Sequence, residues 1–108
     1  MPRNADIGVD DISGLLQAGA RLIDVRETEE YESGHVPGAE SWPLSNLPTD
    51  YATIGADSQL LVICRSGGRS SNACEFLSQN GFTVTNVDGG TMAWAMSGRE
   101  LVEGASPT

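Results

Sequence analysis

The sequence predicts an α/β fold: a parallel β-sheet with helices on both faces. Three observations lead there. Strand-like and helix-like segments alternate along the chain. The run "QLLVIC", residues 59–64, is continuously apolar rather than alternating, as in a strand buried on both faces. The 108 residues contain no internal repeat and no linker, so one domain over 1–108 is expected, with its core at about 7–101.

The elements follow in order. Asp10 is placed to cap a short helix from Asp11 to Ala18, with Ile12, Leu15 and Leu16 on one face and Gly19 closing it. "RLIDV" reads as a buried strand, Arg21 to Val25. "ETEEYESG" reads as a short acidic helix ended by Gly34, and "HVPGAE" as a turn punctuated by Pro37-Gly38. "SWPL" is a short extended piece, and Pro43 implies that it lies at a sheet edge or ends early. "SNLPTDYATIG" is weakly helical. After the "QLLVIC" strand, "SSNACEFLSQNG" is helical with Ala73, Phe76 and Leu77 on one face. "FTVTNV" is another strand. "GGTMAWAMSG" is a final helix carrying Met92 and Trp94 inward. Residues 103–108 are expected to fray as a flexible tail.

Composition narrows the function. Net charge is −9, and all six cations are arginine. Such a surface disfavours nucleic acid and anionic membranes. No apolar run approaches the length of a membrane span, and Met1 to Asp11 lacks a signal-peptide core, so a cytoplasmic protein is the expectation. One histidine and two cysteines match no zinc pattern, so no metal and no cofactor are expected. Cys64 and Cys74 would stand about 7 Å or more apart if one ends a strand and the other lies in the next helix, which argues against a disulfide.

The stretch "LLVICRSGGRSSNACEFL" carries the chemistry. Cys64 ends a strand at the edge where open α/β sheets bind ligands. Arg65, Ser66, Gly67, Gly68 and Arg69 can curl so that their N–H groups point inward, with Gly67 and Gly68 supplying positive φ. The following helix aims its N-terminal dipole at the same point. Converging amides, a helix terminus and two arginines favour an anion, here the Cys64 thiolate. A lone cysteine at a strand end is commonly a small buried hydrophobe; the surrounding loop favours a nucleophile instead. The loop is not a nucleotide P-loop, because GxxxxGKS/T is absent. Cysteine phosphatases place five residues between Cys and Arg. Cys64 and Arg69 have four between them, giving a tighter ring suited to a single sulfur atom rather than a phosphoryl group.

Three stretches, in this order and spacing, resemble the rhodanese family of sulfurtransferases: "LIDVRETEEYESGHVPGAES" (22–41), "CRSGGRS" (64–70) and "GFTVTNVDGGTMAW" (81–94). The likeness is to the single-domain form. It implies a rhodanese-like fold with a central five-stranded parallel sheet. It implies a mechanism too: Cys64 attacks the outer sulfur of a small anionic sulfur donor such as thiosulfate, sulfite leaves, and the persulfide sulfur passes to a thiol, cyanide or a protein acceptor. Arg65 and Arg69 would attract the donor. Mercaptopyruvate-specific members resemble Cys-Gly-Ser/Thr-Gly-Val-Thr in this loop, whereas Arg65 and Arg69 make the present loop cationic and thiosulfate-like. The alternatives are a protein-to-protein sulfur carrier, a phosphatase or arsenate-reducing relative, and a non-catalytic module; modules of that kind commonly lack the cysteine.

Outside the loop, Asp24 and Arg26 end the first strand and face the same rim, either supporting the site or forming an Asp24–Arg26 or Arg26–Glu30 ion pair. Ser70 follows the loop as a supporting residue. His35 is expected to hydrogen-bond within its turn. Cys74 reads as core packing, and Trp42 and Trp94 as core aromatics.

Overall fold

The computed structural model describes residues 4–108, so the first three residues of the polar N-terminal stretch lie outside it. Four strands form one sheet: β1 (Arg21–Asp24), β2 (Ala39–Ser41), β3 (Leu60–Ile63) and β4 (Val84–Asn86). Their spatial order is β2-β1-β3-β4, and every pair is parallel. The uninterrupted apolar run thus becomes a central strand, β3, buried at all four positions.

Helices cover both faces. α1 (Ile12–Gln17), α2 (Thr28–Ser33) and α5 (Gly90–Met96) supply Ile12, Tyr31 and Trp94 to a cluster with Leu22, Leu61 and Ile63. α3 (Leu47–Asp50) and α4 (Gly68–Gln79) supply Leu47, Ala73, Cys74 and Leu77 to a second cluster with Ile23, Leu60 and Val62. Successive residues of β1 and β3 therefore feed opposite layers, as the period-two geometry of a strand requires.

The expected five strands are four. Residues 4–7 run parallel to β4, with Asn4 N–H donating to the Val84 carbonyl and Ile7 N–H to the Asn86 carbonyl, but form a single bridge at Ile7–Val87 rather than a fifth strand. Asn4, Ala5 and Asp6 are poor strand formers, and the chain leaves the sheet at a 3-10 turn, Val9–Asp11. That turn also removes Asp10 from the capping position; its carboxylate pairs with Arg99 at 2.7 Å.

Other elements lie close to expectation. Gly34 ends α2, and Gly19 follows α1 with φ +104°. β2 begins at Ala39, earlier than "SWPL", and is an edge strand. Trp42 and Leu44 donate to the Asp24 and Val25 carbonyls, and Pro43, which has no N–H, falls between them. The weakly helical segment is α3 flanked by 3-10 turns at Leu44–Asn46 and Tyr51–Thr53. Trp94 points inward, but Met92 does not: it is 39% exposed. α5 has seven residues, and its N-terminal turn lies over the loop after β3, leaving Met92 on the open side. The exposed stretch 103–108 is tied at three points: Gly104 N–H to Glu32, Pro107 carbonyl to Gly38 N–H, and Ser106 carbonyl to His35.

Candidate active site

Cys64 immediately follows β3, at the carboxyl edge of the sheet. Gly67 turns the chain there with φ +113°, a left-handed conformation that disfavours any side chain, and serves as the N-cap of α4. Gly68, expected to share that conformation, has none: it is already the first residue of the helix. The loop therefore needs one left-handed residue rather than two.

The Cys64 side chain is almost wholly enclosed, with the residue 1% exposed. Gly67 N–H donates to Sγ at 3.1 Å. Burial pushes the thiol pKa up. The Ser70 hydroxyl and the backbone N–H groups of Ser70, Gly67 and Ser66 outweigh it, and the net pKa lies below the ordinary value. Three amides and a hydroxyl thus do what bulk water does for an exposed thiolate. The Ser70 hydroxyl has one proton and several acceptors within reach. It contacts the Asn86 side-chain oxygen and the Gly67 carbonyl, and a hydrogen bond from it to Cys64 lowers the thiol pKa.

The second support comes from α5. Thr91 N–H donates to the Cys64 carbonyl at 2.9 Å, and Met92 N–H to the Arg65 carbonyl at 3.0 Å. The first turn of α5 therefore spends its free amides on the backbone of the loop. This close approach requires glycine. Gly90 has φ +60°, and a Cβ there would lie 2.6 Å from the Arg65 carbonyl oxygen and nearer still to that of Cys64.

The two loop arginines differ. Arg69 makes two hydrogen bonds to Glu30, at 2.7 and 2.9 Å. The Arg69 guanidinium holds the Glu30 carboxyl down to about 2. Glu30 also accepts from the Glu27 N–H at 3.1 Å in the capping box of α2, so the arginine is aimed by a helix terminus. Arg65 is exposed and has no ion-pair partner among the described residues.

Asp24 and Arg26 form a buried pair. Arg26 donates to Asp24 from Nη2 at 2.9 Å, from Nε at 3.1 Å and from the backbone N–H at 3.0 Å, and to the Gly34 carbonyl at 2.8 Å. The pair ties β1 to the end of α2; of the two ion pairs considered, Asp24–Arg26 forms and Arg26–Glu30 does not. His35 is buried and stacked on Tyr31, with Nδ1 2.7 Å from the Tyr31 carbonyl oxygen and Nε2 2.8 Å from that of Ser106. Cys74 is a buried thiol, in no disulfide, in the same core cluster as Cys64.

A groove of about 350 Å³ opens beside the loop, with Arg65, Thr91, Met92, Leu101, Arg26 and Glu30 among its walls. Among the described residues there is no group of three or more His, Cys, Asp or Glu side chains able to hold a metal. Among the described residues no helix is long and apolar enough to cross a membrane.

Sequence reasoning did not assign Glu30, Asn86, Gly90 or Thr91 to the site. Glu30 carried a signal, since a Glu three residues after Glu27 is capping-box spacing. So did the Gly89-Gly90 pair ahead of a helix. Asn86 and Thr91 arrive through sheet register and helix packing and had no local signal.

Comparison with known proteins bears on this geometry. The Rhodanese-like domain model matches residues 9–97. A sulfurtransferase of Allochromatium vinosum is 38% identical over 82 residues, covering 75% of this chain and 77% of the relative. The chloroplastic thiosulfate sulfurtransferase 16 of Arabidopsis thaliana is 38% identical over 97 residues, covering 78% and 81%. The crystal structure of a rhodanese-related protein from Thermoplasma volcanium superposes with a TM-score of 0.85 at 32% identity, covering 92% of this chain and 98% of that one. With its parallel sheet, its amide-lined cysteine loop and a family match across both, the chain belongs to the rhodanese-like domain family.

Proposed function

We propose that the protein is a cytoplasmic sulfurtransferase that moves sulfane sulfur from thiosulfate, or a persulfide donor, to a thiophilic acceptor through a persulfide on Cys64. The observation that carries this reading is the enclosed Cys64 sulfur, held by the Gly67 N–H and ionised more easily than an ordinary thiol despite its burial. The names of the relatives point the same way.

The chemistry follows from that sulfur. The Cys64 thiolate attacks the outer sulfur of thiosulfate. An S–S bond forms to Cys64, the donor's S–S bond breaks, and its electron pair leaves with sulfite. The N–H groups of Ser66, Gly67 and Ser70 that favour the thiolate also favour the persulfide anion. Arg65, unpaired at the rim, attracts the anionic donor. Arg69, neutralised by Glu30, acts as a positioning residue that fastens α4 to α2. Asp24 and Arg26 fix the rim from beneath, and Ser70 tunes the sulfur. The acceptor is a thiol, cyanide in an assay, or a protein.

Thiocyanate formation from thiosulfate and cyanide tests the reading. Turnover is expected in the wild type and absent in Cys64→Ser. Wild-type protein that hydrolyses an aryl phosphate and makes no thiocyanate would overturn it in favour of phosphatase chemistry.

A further inference from the structure

We infer that Asn86, oriented by Asp6, is a positioning residue for Cys64: it takes the Ser70 hydroxyl proton in the resting protein and yields it when the sulfur becomes an anion. This rests on Cys64 as the reacting sulfur and names what governs its charge.

Hydrogen-bond directions are the first support. Asn86 is 3% exposed and ends β4. Its Nδ2 faces the Asp6 carboxylate at 3.3 Å and the Gly67 carbonyl at 3.4 Å. Both are acceptors, so the amide nitrogen belongs there and Oδ1 is turned toward Ser70. Oδ1 can only accept, and the Ser70 hydroxyl donates to it. Ser70 is wholly buried. Its one proton also has the Gly67 carbonyl, at 3.2 Å, and the Cys64 sulfur within reach.

The path of residues 4–7 is the second. They form no strand, yet they are fastened to β4. Besides the bonds from the Asn4 and Ile7 N–H groups, Asp88 N–H donates to the Ile7 carbonyl at 2.7 Å, and the Asn4 side chain donates to the Thr85 hydroxyl at 3.2 Å. This docking brings Asp6 to Asn86 from 80 positions away in the sequence.

The consequence follows from competition for one proton. While Cys64 is a neutral thiol, the Ser70 hydroxyl bonds Asn86. A hydrogen bond to an anion is roughly twice as strong as one to a neutral acceptor, so the hydroxyl turns to Sγ when the thiolate or the persulfide anion forms. Ionisation therefore gives up the Asn86 bond. Asn86 keeps the sulfur more basic than Ser70 and the loop amides alone would make it. A more basic thiolate is the better nucleophile, with a Brønsted slope of ~0.4–0.5.

The charged groups around the sulfur come from several elements. Arg69 of α4 interacts with Cys64 and is paired with Glu30 of α2. Asp24 and Arg26 lie at the end of β1, Arg65 in the loop, and Asp6 and Asp88 beside Asn86 and Gly67. α5 contributes none. All of them are retained in Asn86→Ala, so they drop out of a comparison with the wild type.

Iodoacetamide alkylation of Cys64, followed across pH by peptide mass spectrometry, reads ionisation without requiring sulfur transfer. Asn86→Ala should lower the alkylation midpoint by about one pH unit, the equivalent of one hydrogen bond, and slow the limiting rate at high pH about threefold. In a Ser70→Ala background the same substitution should change neither. A merely structural Asn86 would instead loosen the loop amides and raise the midpoint. A midpoint that stays or rises, or a shift that survives in Ser70→Ala, would overturn the inference. Asp6 is exposed, so its substitution spares the core and tests the same arrangement where Asn86→Ala does not fold. Asp6→Ala lets the amide turn over and should lower the midpoint. Asp6→Asn removes the same charge but keeps an acceptor for Nδ2, and should hold the midpoint near the wild-type value. Equal shifts in the two would show an effect of charge alone and overturn the role of Asp6. Protein that alkylates as expected yet never loads sulfur from thiosulfate would sink the transfer reading and still support the role of Asn86.

Discussion

Cys64 combines two properties that usually oppose each other, enclosure and easy ionisation. Burial alone raises a thiol's pKa and makes it inert. Here the Ser70 hydroxyl and three backbone N–H groups reverse the sign. Reactivity should therefore be full above the lowered pKa of Cys64 and vanish as pH falls through it. Ser70→Ala removes one of the lowering contacts. Its alkylation profile with iodoacetamide should move to higher pH by about one unit, the equivalent of one hydrogen bond to an anion. An unmoved profile would leave the backbone amides as the sole cause. Glu30 provides a second titration. Its carboxyl is held from an ordinary 4.5 down to about 2, chiefly by the Arg69 hydrogen bond. The contribution of that pair is fully present above pH 4.5 and is lost as pH falls toward 2. Both side chains are more than a third exposed, 38% and 37%, so screening limits the pair to less than about 1 kcal/mol. Urea midpoints of the wild type and Glu30→Gln should differ slightly at pH 6 and converge at low pH.

Two helices meet the loop, and they act on different atoms. α4 begins beside the sulfur, whereas α5 holds the carbonyls of Cys64 and Arg65. The glycines at these junctions are not interchangeable. Gly90→Ala combines a left-handed φ with a Cβ overlapping two carbonyl oxygens, which are backbone and cannot step aside. It should cost about 2 kcal/mol or more in chemical denaturation and displace the loop, so that the remaining folded protein loses sulfur transfer as well. Gly14 is the control. It lies within α1, its φ is ordinary, and a Cβ there meets nothing within 4 Å. Gly14→Ala should stabilise by about 0.5–1 kcal/mol and leave transfer unchanged. At this scale the sequence was most readable where one local rule dominates. Gly34 ends α2, Pro43 lies on an edge, and the pure apolar run is the central strand. It was least readable where packing decides. Met92 follows the apolar rule for an inward residue, yet it is 39% exposed on a helix whose first turn is fastened to the loop by the Thr91 and Met92 N–H groups.

The whole molecule shows how alternation in a sequence becomes a site. Alternating strands and helices force right-handed parallel crossovers. These bring Cys64, the end of α2 and the start of α5 to one edge of the sheet from three distant parts of the chain. The cysteine, the glycine turn at Gly67 and the arginines were legible because they are contiguous. Glu30 and Gly90, separated from the loop in sequence, join it only through the order β2-β1-β3-β4. The four extended segments read along the chain are the four strands of the sheet, and the fifth strand that the family resemblance implied does not form: a segment as polar as Asn4 to Asp6 accompanies β4 without a ladder. The central claim of this account is that Cys64 carries sulfur between two reactions. A single-turnover measurement addresses it most directly. Excess thiosulfate is mixed with the protein, and the intact mass and released sulfite are followed together. The account predicts a gain of about 32 Da, one sulfur atom, on Cys64 with one sulfite released per chain, and neither in Cys64→Ser. Wild-type protein that keeps its original mass and releases no sulfite would contradict it.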